Sequence, residues 1–477
     1  MPRPGALLKR SLIFVHRWLG VALSIIFGLW FVSGIVMMYW SYPSVTPRDR
    51  LERAPALRAE QVVLSAEEAL AVLGRSDAAP TQLRLTSFDG RPVYRVGGGG
   101  RGRGTGPSMV YADTGAPQSA IDDALIDRVA AAWAARPAEE AQKVSIAEID
   151  QWMLGGGLRN VRPLYKYSWP DGQQVYVNGN TAEVAQYTTS ASRFWAYLGA
   201  IPHWMYFTPL RTQQRTWFNF VVYSSLIGTI GAILGVVIAV WMYSPRKRYR
   251  HAGASTSIPY RGWKRWHTIV GLFFGVITVT WTFSGMLSMM PFPITDRLTE
   301  LTVPSEPSVD DADGFDPGAT DVIGPLTYAL AGDRAALRYA HSEKHPRDAI
   351  ASLAGFEVKE LEWSSFAGEP VYLAQNGRGE TRIVPVRGEP RAAFDVDEVL
   401  SLVRGAASER IAELRVMDEY DAYYRDRHRE RPLPVIYLRI NDAVGTRYYI
   451  DPKTARIVGS YNARNWISRW LYSGRWL

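Results

Sequence analysis

The sequence predicts an integral membrane α-helical protein with three spans and two extracytoplasmic α+β domains. Three observations predict this class: three long runs lack charged residues, two short segments beside them are strongly basic, and two long polar segments contain strand-like runs. The mean hydropathy of −0.12 resembles that of a soluble protein, but it averages over these unlike parts. The 477 residues include no cysteine, which excludes disulfides, zinc–thiolate sites, iron–sulfur clusters and thiol nucleophiles.

Each uncharged run is long enough to cross a bilayer. Asp, Glu, Lys and Arg are absent from three intervals: Arg17 to Arg48, Arg215 to Arg246, and Arg265 to Asp296. About 20 apolar residues suffice to span the hydrocarbon core, and tryptophans stand near the ends of the runs, as in an aromatic belt. We therefore predict membrane helices at residues 11–40, 217–243 and 267–290.

Two basic segments predict the orientation. Residues 244–266 carry seven Lys or Arg and no acidic residue, and residues 1–10 carry three more. Because cytoplasmic segments are enriched in Lys and Arg, both are expected in the cytoplasm. The two external segments, 41–216 and 291–477, then lie on the other side of the membrane. The net charge of +8 favours contact with anionic lipid of the bilayer, and no nucleic acid partner is expected.

Both external segments have the pattern of α+β domains. Runs rich in Val, Ile and Tyr, bounded by Gly, Pro or Asp, predict strands at 91–96, 107–113, 173–179, 369–375, 381–386, 434–440 and 446–452. Apolar periodicity predicts helices at 65–73, 121–135, 396–405 and 408–414. Ser65 and Asp395 are the expected N-caps of two of these helices.

The first and third spans repeat one pattern, H-x3-G-x9-W-x2-S-G. His16, Gly20, Trp30, Ser33 and Gly34 recur 251 residues later as His267, Gly271, Trp281, Ser284 and Gly285. The external segments repeat less closely, with VYVNGNTAEV matching YYIDPKTARIV. The sequence therefore predicts a duplicated unit of a helix, an external α+β domain and a returning helix. The second copy is expected to be truncated before its returning helix, which would be a fourth span.

The paired histidines form the candidate cofactor site. His16 and His267 are expected at the same depth near the cytoplasmic face, where two neutral imidazoles can bind a haem iron axially. Gly20 and Gly271 lie one turn further along and would let a flat macrocycle approach both backbones closely. The alternative interpretation is that these histidines only mark the membrane boundary.

The other histidines are weaker candidates. His203 lies in an aromatic stretch expected at the outer interface, either as a belt residue or as a second haem ligand. His341 and His345 have the i, i+4 spacing of a helical metal site, but a third ligand is missing and a surface position is favoured. Beyond haem iron no metal is expected. The sequence contains no nucleophile elbow, zinc-protease signature, phosphate loop or dinucleotide fingerprint, so no catalytic residue is predicted.

Several motifs together resemble the PepSY-associated transmembrane family of bacterial inner-membrane proteins. They are HRWLG, IDQW, PHWMYFTPLR, PY-RGWKRWH and the W-x2-S-G helix ends. The resemblance covers nearly the whole chain and implies PepSY-like periplasmic domains below a helical bundle that carries b-type haem. It supports His16 and His267 as haem ligands near the cytoplasmic face, and His203 as a ligand near the periplasmic face.

The resemblance also implies a function, since some members are iron-regulated ferric-siderophore reductases. The leading hypothesis is a haem protein that takes electrons from quinol or a cytoplasmic reductant and reduces a periplasmic acceptor such as a ferric siderophore. The chain departs from the family at its end, where Gly474, Arg475 and Trp476 replace a further histidine, which puts the second, periplasmic haem in doubt. Two alternatives stay open: a non-enzymatic membrane module that binds or regulates a periplasmic protein, and an inactive truncated homologue.

Overall fold

The computed structural model describes most of the chain. The described residues are 4–75, 83–96, 109–118, 121–155, 157–251, 253–289, 320–331, 341, 343–425, 429, 431–442 and 444–462. Residues 290–319 and the last fifteen residues, which include Gly474, Arg475 and Trp476, lie outside these ranges.

Three long helices have the length and composition of membrane spans: α1 (Pro4–Met37), α8 (Gln214–Met242) and α9 (Gly262–Leu287). They contain 34, 29 and 26 residues, more than the roughly 20 that a bilayer requires. Large apolar side chains cover their outer surfaces, and Ile25 is 80% and Phe273 75% exposed. This is the surface of helices that contact lipid, and the prediction of three membrane helices is confirmed.

Helix α8 is central and packs against both α1 and α9. Glycines allow this approach, because an added Cβ on Gly228 of α8 would lie 3.0 Å from the Phe27 ring of α1. On the other side, an added Cβ on Gly275 of α9 would lie 2.6 Å from a Val236 methyl group of α8. Small residues at such contacts let membrane helices pack closely, and α8 thereby holds α1 and α9 at a defined separation.

The described shorter helices belong to the external segments. They are α2 (Pro47–Arg53), α3 (Ala66–Val72), α4 (Asp123–Ala134), α5 (Ser190–Leu198), α6 (Ala200–His203), α7 (Thr208–Arg211), Thr320–Ala331, Pro346–Ala351 and Val396–Ala407. Both predicted N-caps are confirmed, since the side chain of Ser65 accepts a hydrogen bond from the backbone N–H of Glu68, and that of Asp395 accepts from Asp397 and Glu398.

The described strands form one six-stranded sheet, two four-stranded sheets and a small hairpin. They are β1 (Leu83–Phe88), β2 (Arg91–Val96), β3 (Met109–Tyr111), β4 (Gln142–Ser145), β5 (Leu164–Ser168), β6 (Gln174–Asn178), β7 (Val184–Thr188), β8 (Tyr249–His251), β9 (Ala254–Thr256), β10 (Glu360–Phe366), β11 (Glu369–Gln375), β12 (Thr381–Pro385), β13 (Ile411–Met417), β14 (Val435–Ile440), β15 (Arg447–Asp451) and β16 (Arg456–Tyr461).

The helix predicted at 408–414 is wrong. A single 3₁₀ turn, Ser408–Arg410, is followed directly by strand β13. This strand pairs with β14 from Ile411 opposite Ile440 to Met417 opposite Val435. The tertiary pairing outweighs the local helix propensity of the Ala-Glu-Leu sequence, as tertiary context commonly does.

The two external segments share one sheet. Its strand order is β12-β11-β10-β1-β2-β3, with every neighbouring pair antiparallel. Strands β1 and β10 meet at the centre, where Leu85 lies opposite Leu361 and Arg84 opposite Glu362. The sequence analysis treated the segments as two separate domains. The sheet joins them, and each central strand thereby covers an edge that would otherwise expose unpaired backbone groups.

Both external segments present their elements in the same order. Three strands, β1–β3, are followed by α4 and the sheet β4–β7; strands β10–β12 are followed by the helix Val396–Ala407 and the sheet β13–β16. One hydrogen bond also recurs at 2.8 Å. The Tyr176 hydroxyl of β6 donates to Asp150, and the Tyr449 hydroxyl of β15 donates to Asp421.

The two faces of the shared sheet differ. Leu85 and Trp363 point into an apolar core that α3 and Pro346–Ala351 help to close. The opposite face carries Glu362, which is only 3% exposed and lies 3.0 Å from the Arg456 guanidinium. A buried carboxylate requires such a partner, so this ion pair ties β10 to the neighbouring sheet that contains β16.

Glu360, on the same charged face, gives the sheet a pH dependence. Burial raises the pKa of its carboxyl group, although Arg84 lies 3.7 Å away and lowers it. A carboxyl group whose pKa is higher in the folded than in the unfolded state stabilises the fold while it is protonated. This contribution is complete below the unfolded-state pKa of about 4.3 and is lost as pH rises through the folded-state pKa. We expect Glu360→Gln to avoid this loss and to unfold at higher denaturant concentration than the parent at about pH 7, but not at about pH 3.5.

Denaturant midpoints of the detergent-purified full chain at the two pH values measure this effect. Glu369→Gln, at an exposed position on β11, is the matched control and is expected to leave the midpoint unchanged at both values. A difference between Glu360→Gln and the parent that is equal at both pH values would contradict the expectation.

Candidate functional site

Helices α1 and α9 bring His16 and His267 face to face. The ring centroids are 6.1 Å apart and the ring planes are tilted by 34°. A metal ion between two imidazoles lies about 2.0 Å from each nitrogen, and each ring centre lies about 1 Å further back, so the centroids of a bis-imidazole site are roughly 6 Å apart. The pair therefore has the separation that two imidazole ligands of one metal ion would have.

Helix α8 orients the His16 ring. Its Nδ1 lies 2.9 Å from the backbone oxygen of Gly231. Since a carbonyl only accepts, this contact assigns the proton to Nδ1 and leaves the lone pair of Nε2 for a metal. Gly235 allows the ring to lie against α8, because an added Cβ there would be 2.7 Å from His16 Cε1. The contacts of Gly231 and Gly235 with His16 were not predicted, although the two glycines are four residues apart on one face of α8.

Gly20 and Gly271 border open space beside the histidines. An added Cβ on either glycine would meet no atom within 4 Å. Gly20 follows His16 by one turn on α1, and Gly271 follows His267 by one turn on α9. Among the described residues, no protein atom occupies the space beside these two glycines. The residues present would therefore leave room for a flat group beside the two helices.

His203 lies at the opposite end of the bundle. It is the last residue of α6, which follows α5 through a sharp corner at Gly199. An added Cβ on Gly199 would lie 2.9 Å from a Val36 methyl group, so the glycine lets this corner pack against α1. The structure thereby places His203 near the end of α1, and not near the His16–His267 pair.

Three groups on α1 hold the His203 ring. Its Nδ1 lies 3.2 Å from both the Ser33 hydroxyl and the Trp30 backbone oxygen. An added Cβ on Gly34 would lie 3.3 Å from His203 Cε1. Ser33 and Gly34, the Ser-Gly pair of the sequence repeat, thus form the place where α1 contacts the His203 ring.

The equivalent Ser-Gly pair on α9 holds no ring among the described residues. Ser284 donates its hydroxyl to the Trp281 backbone oxygen of its own helix at 2.9 Å. An added Cβ on Gly285 would meet nothing within 4 Å. The two halves of the bundle therefore differ at this end, although they are alike at the end with His16 and His267.

A cavity of about 330 Å³ lies between α1 and α9 at this end of the bundle. Four tryptophans line it together with His203: Trp30, Trp204, Trp217 and Trp281. The Trp281 ring centroid lies 6.4 Å from that of His203. The Trp281 ring also stacks on Phe31, with their centroids 4.6 Å apart. The aromatic composition of this stretch predicted an interfacial position, but it did not predict that the stretch lines a cavity.

The structure corrects the interpretation of His341 as a surface histidine. It is 5% exposed, and its Nε2 donates to the backbone oxygens of Ser364 at 2.9 Å and Val371 at 3.2 Å. His345 instead caps the helix Pro346–Ala351, where its Nδ1 accepts from the Arg347 N–H. The two residues do not share a helix, and no group of three metal-ligating side chains occurs among the described residues.

The comparison with known families identifies the family of this chain. The model of the PepSY-associated TM region matches residues 13–352, well over half of the chain. The matched region includes most of α1, all of α8 and α9, and both His16 and His267. The chain has no significant match among curated proteins or solved structures. The protein is a membrane protein that belongs to the PepSY-associated transmembrane family.

Proposed function

We propose that this protein binds one b-type haem between His16 and His267 and transfers electrons in a bacterial inner membrane. The observation that carries the proposal is the 6.1 Å separation of the two rings, beside glycines that border open space. A bis-histidine haem supplies reversible one-electron chemistry at its iron.

The residues of this chain would position that chemistry. His16 and His267 would each present Nε2, and the contact between His16 Nδ1 and the Gly231 carbonyl would fix the ring and raise its basicity. Gly20 and Gly271 would let the macrocycle lie against both helices. The apolar side chains of α1 and α9 would exclude water from one edge, and the low local dielectric would then influence the redox potential of the bound group.

The external segments would face an oxidised acceptor. With the basic loop 244–266 in the cytoplasm, the shared sheet lies in the periplasm, and its two halves are proposed to be PepSY-like copies of one unit. Their common element order and the recurring Asp–Tyr hydrogen bond support this duplication. Following the family resemblance, we propose a ferric siderophore as the acceptor and a cytoplasmic reductant or membrane quinol as the donor.

An absorption spectrum tests the haem proposal directly. The full chain, purified in detergent, is expected to show a Soret band and reducible α and β bands typical of bis-histidine iron. His16→Ala and His267→Ala are each expected to retain at least about tenfold less haem per chain, because one axial ligand is lost. His345→Ala, at the N-cap of the helix Pro346–Ala351 in the second external segment, is the matched control and should retain its haem.

Two results would reject the proposal. One is a colourless parent chain that is correctly inserted and remains colourless when haem is supplied during expression. The other is a Soret band that persists unchanged in the His16→Ala/His267→Ala double variant.

A further inference from the structure

The two hairpins at the centre of the shared sheet have closely similar sequences. Residues 83–96 read LRLTSFDGRPVYRV and residues 361–374 read LEWSSFAGEPVYLA, so that seven of their fourteen positions are identical. They form β1–β2 and β10–β11, which lie side by side between the edge strands β3 and β12. Each strand therefore has its equivalent at the same distance from the centre, and a pseudo-two-fold axis runs between β1 and β10.

The axis passes between Arg84 and Glu362. These two residues lie directly opposite each other across β1 and β10, and they also occupy the same position in the two hairpin sequences. A residue on such an axis faces its own equivalent. The two unlike hairpins of one chain therefore place arginine against glutamate, whereas two like hairpins from separate chains would place arginine against arginine or glutamate against glutamate.

The burial of the acidic side chains makes the pairing of like strands costly. The side chain of Glu362 is 5% exposed and that of Glu360 is 16% exposed, and each has a carboxylate oxygen 3.7 Å from a guanidinium nitrogen of Arg84. Two paired β10 strands would bring the carboxylates of both copies together without this guanidinium, and buried charges of like sign are strongly disfavoured. Two paired β1 strands would oppose two arginines, and like charges directly opposite each other are also destabilising.

A second pair of equivalent positions is reversed in the same way. Glu183 and Arg456 occupy the same place in the repeat of VYVNGNTAEV and YYIDPKTARIV. Glu183 pairs with Arg95 of β2, and Arg456 pairs with Glu362 of β10 at 3.0 Å. Each half thus contains one ion pair of its own. The first half then has the positive charge of Arg84 to offer across the axis, and the second half has the remaining carboxylate of β10.

We propose that Arg84 and Glu362 select the partner of the central strands, so that β1 pairs with β10 and not with the β1 of a second copy of this chain. A second copy is the nearest competitor, because its hairpins have the same sequence. An uncovered strand edge pairs readily with such a strand. Of the β10 strands then available, the covalent link favours the one in the same chain, since its effective concentration is higher. This selection is independent of haem binding.

Co-purification of two copies tests the selection. Full chains that carry two different affinity tags are co-expressed and extracted in detergent, and the fraction of one that is captured with the other is measured. Arg84→Gln/Glu362→Gln, the neutral variant, is expected to raise this fraction about fivefold over the parent, because like strands no longer repel each other. Glu343→Gln/Arg387→Gln removes an exposed ion pair and is the matched control, which should leave the fraction unchanged.

Arg84→Glu/Glu362→Arg, the exchanged variant, separates charge selection from a general loss of stability. Like strands again carry like charges, so the captured fraction is expected to stay at the level of the parent. Its denaturant midpoint is expected to be no higher than that of the neutral variant, because the exchanged charges face like charges on Glu360 and Arg456. Equal captured fractions for the neutral variant and the control overturn the proposal. Equal fractions for the neutral and exchanged variants also overturn it, because association then follows from lost stability.

Discussion

Trp363→Ala is expected to lower the free energy of unfolding of the external region by about 3–5 kcal/mol, the usual cost of removing a large buried aromatic side chain. Trp363 is 1% exposed. Its ring meets Tyr94 edge-on at 5.7 Å and Tyr372 at 5.0 Å. Since Tyr94 belongs to β2 of the first external segment, the cavity left by the substitution opens in a core that both segments share.

Hydrogen exchange of the full chain distinguishes a shared core from two independent domains. We expect Trp363→Ala to reduce amide protection in β1 and β2 as well as in β10 and β11. Trp363→Phe should cost less, because the parent indole N–H is buried and has no partner among the described residues, so its removal carries no hydrogen-bond loss. Tyr328→Ala, at a 64% exposed position, serves as control. Loss of protection confined to the second segment would show that the halves unfold separately.

Gly235→Ala is expected to reduce haem retention at least about tenfold, a loss typical of disturbed groups behind a metal ligand. The added methyl group would lie 2.7 Å from His16 Cε1, a distance that two carbon atoms cannot keep. The ring must rotate or move away from α8, and the contact between its Nδ1 and the Gly231 carbonyl is then lost. His16 itself remains present, so the variant separates the position of the ligand from its identity.

Gly231→Ala is the matched control on the same helix. Its added Cβ would lie 3.8 Å from the Leu19 Cβ, an ordinary contact, and the backbone oxygen that faces His16 is kept. The ratio of Soret to protein absorbance in the two purified variants measures the effect. Equal ratios for Gly235→Ala and Gly231→Ala would mean that the approach of His16 to α8 does not matter for haem retention.

The spans and the histidine pair were predictable because both depend on local patterns. An uncharged run of sufficient length identifies a membrane helix without knowledge of its neighbours. Helices that start on the same side place equal positions at equal depth, so the repeat placed His16 beside His267. Likewise, the strands predicted at 91–96 and 369–375 coincide with β2 and β11, whose ends are marked by turn residues.

The features that were missed depend on contacts between distant residues. No local sequence pattern shows that β1 pairs with β10, because the two strands belong to different external segments. His341 was assigned to the surface because the carbonyls that bind it, on Ser364 and Val371, are brought to it only by the fold. The cavity at His203 requires the same knowledge, since four separate segments of the chain build its walls.

The pairing of β1 with β10 also sets an order of assembly. Strand β1 leaves the ribosome about 275 residues before β10, which at about 5–20 residues per second is a delay of roughly 15–55 s. During this time two further membrane helices must insert, and the edge of β1 remains open to pairing with other chains. The external region of this protein is therefore most exposed to aggregation during biogenesis, in the interval before its second segment is synthesised.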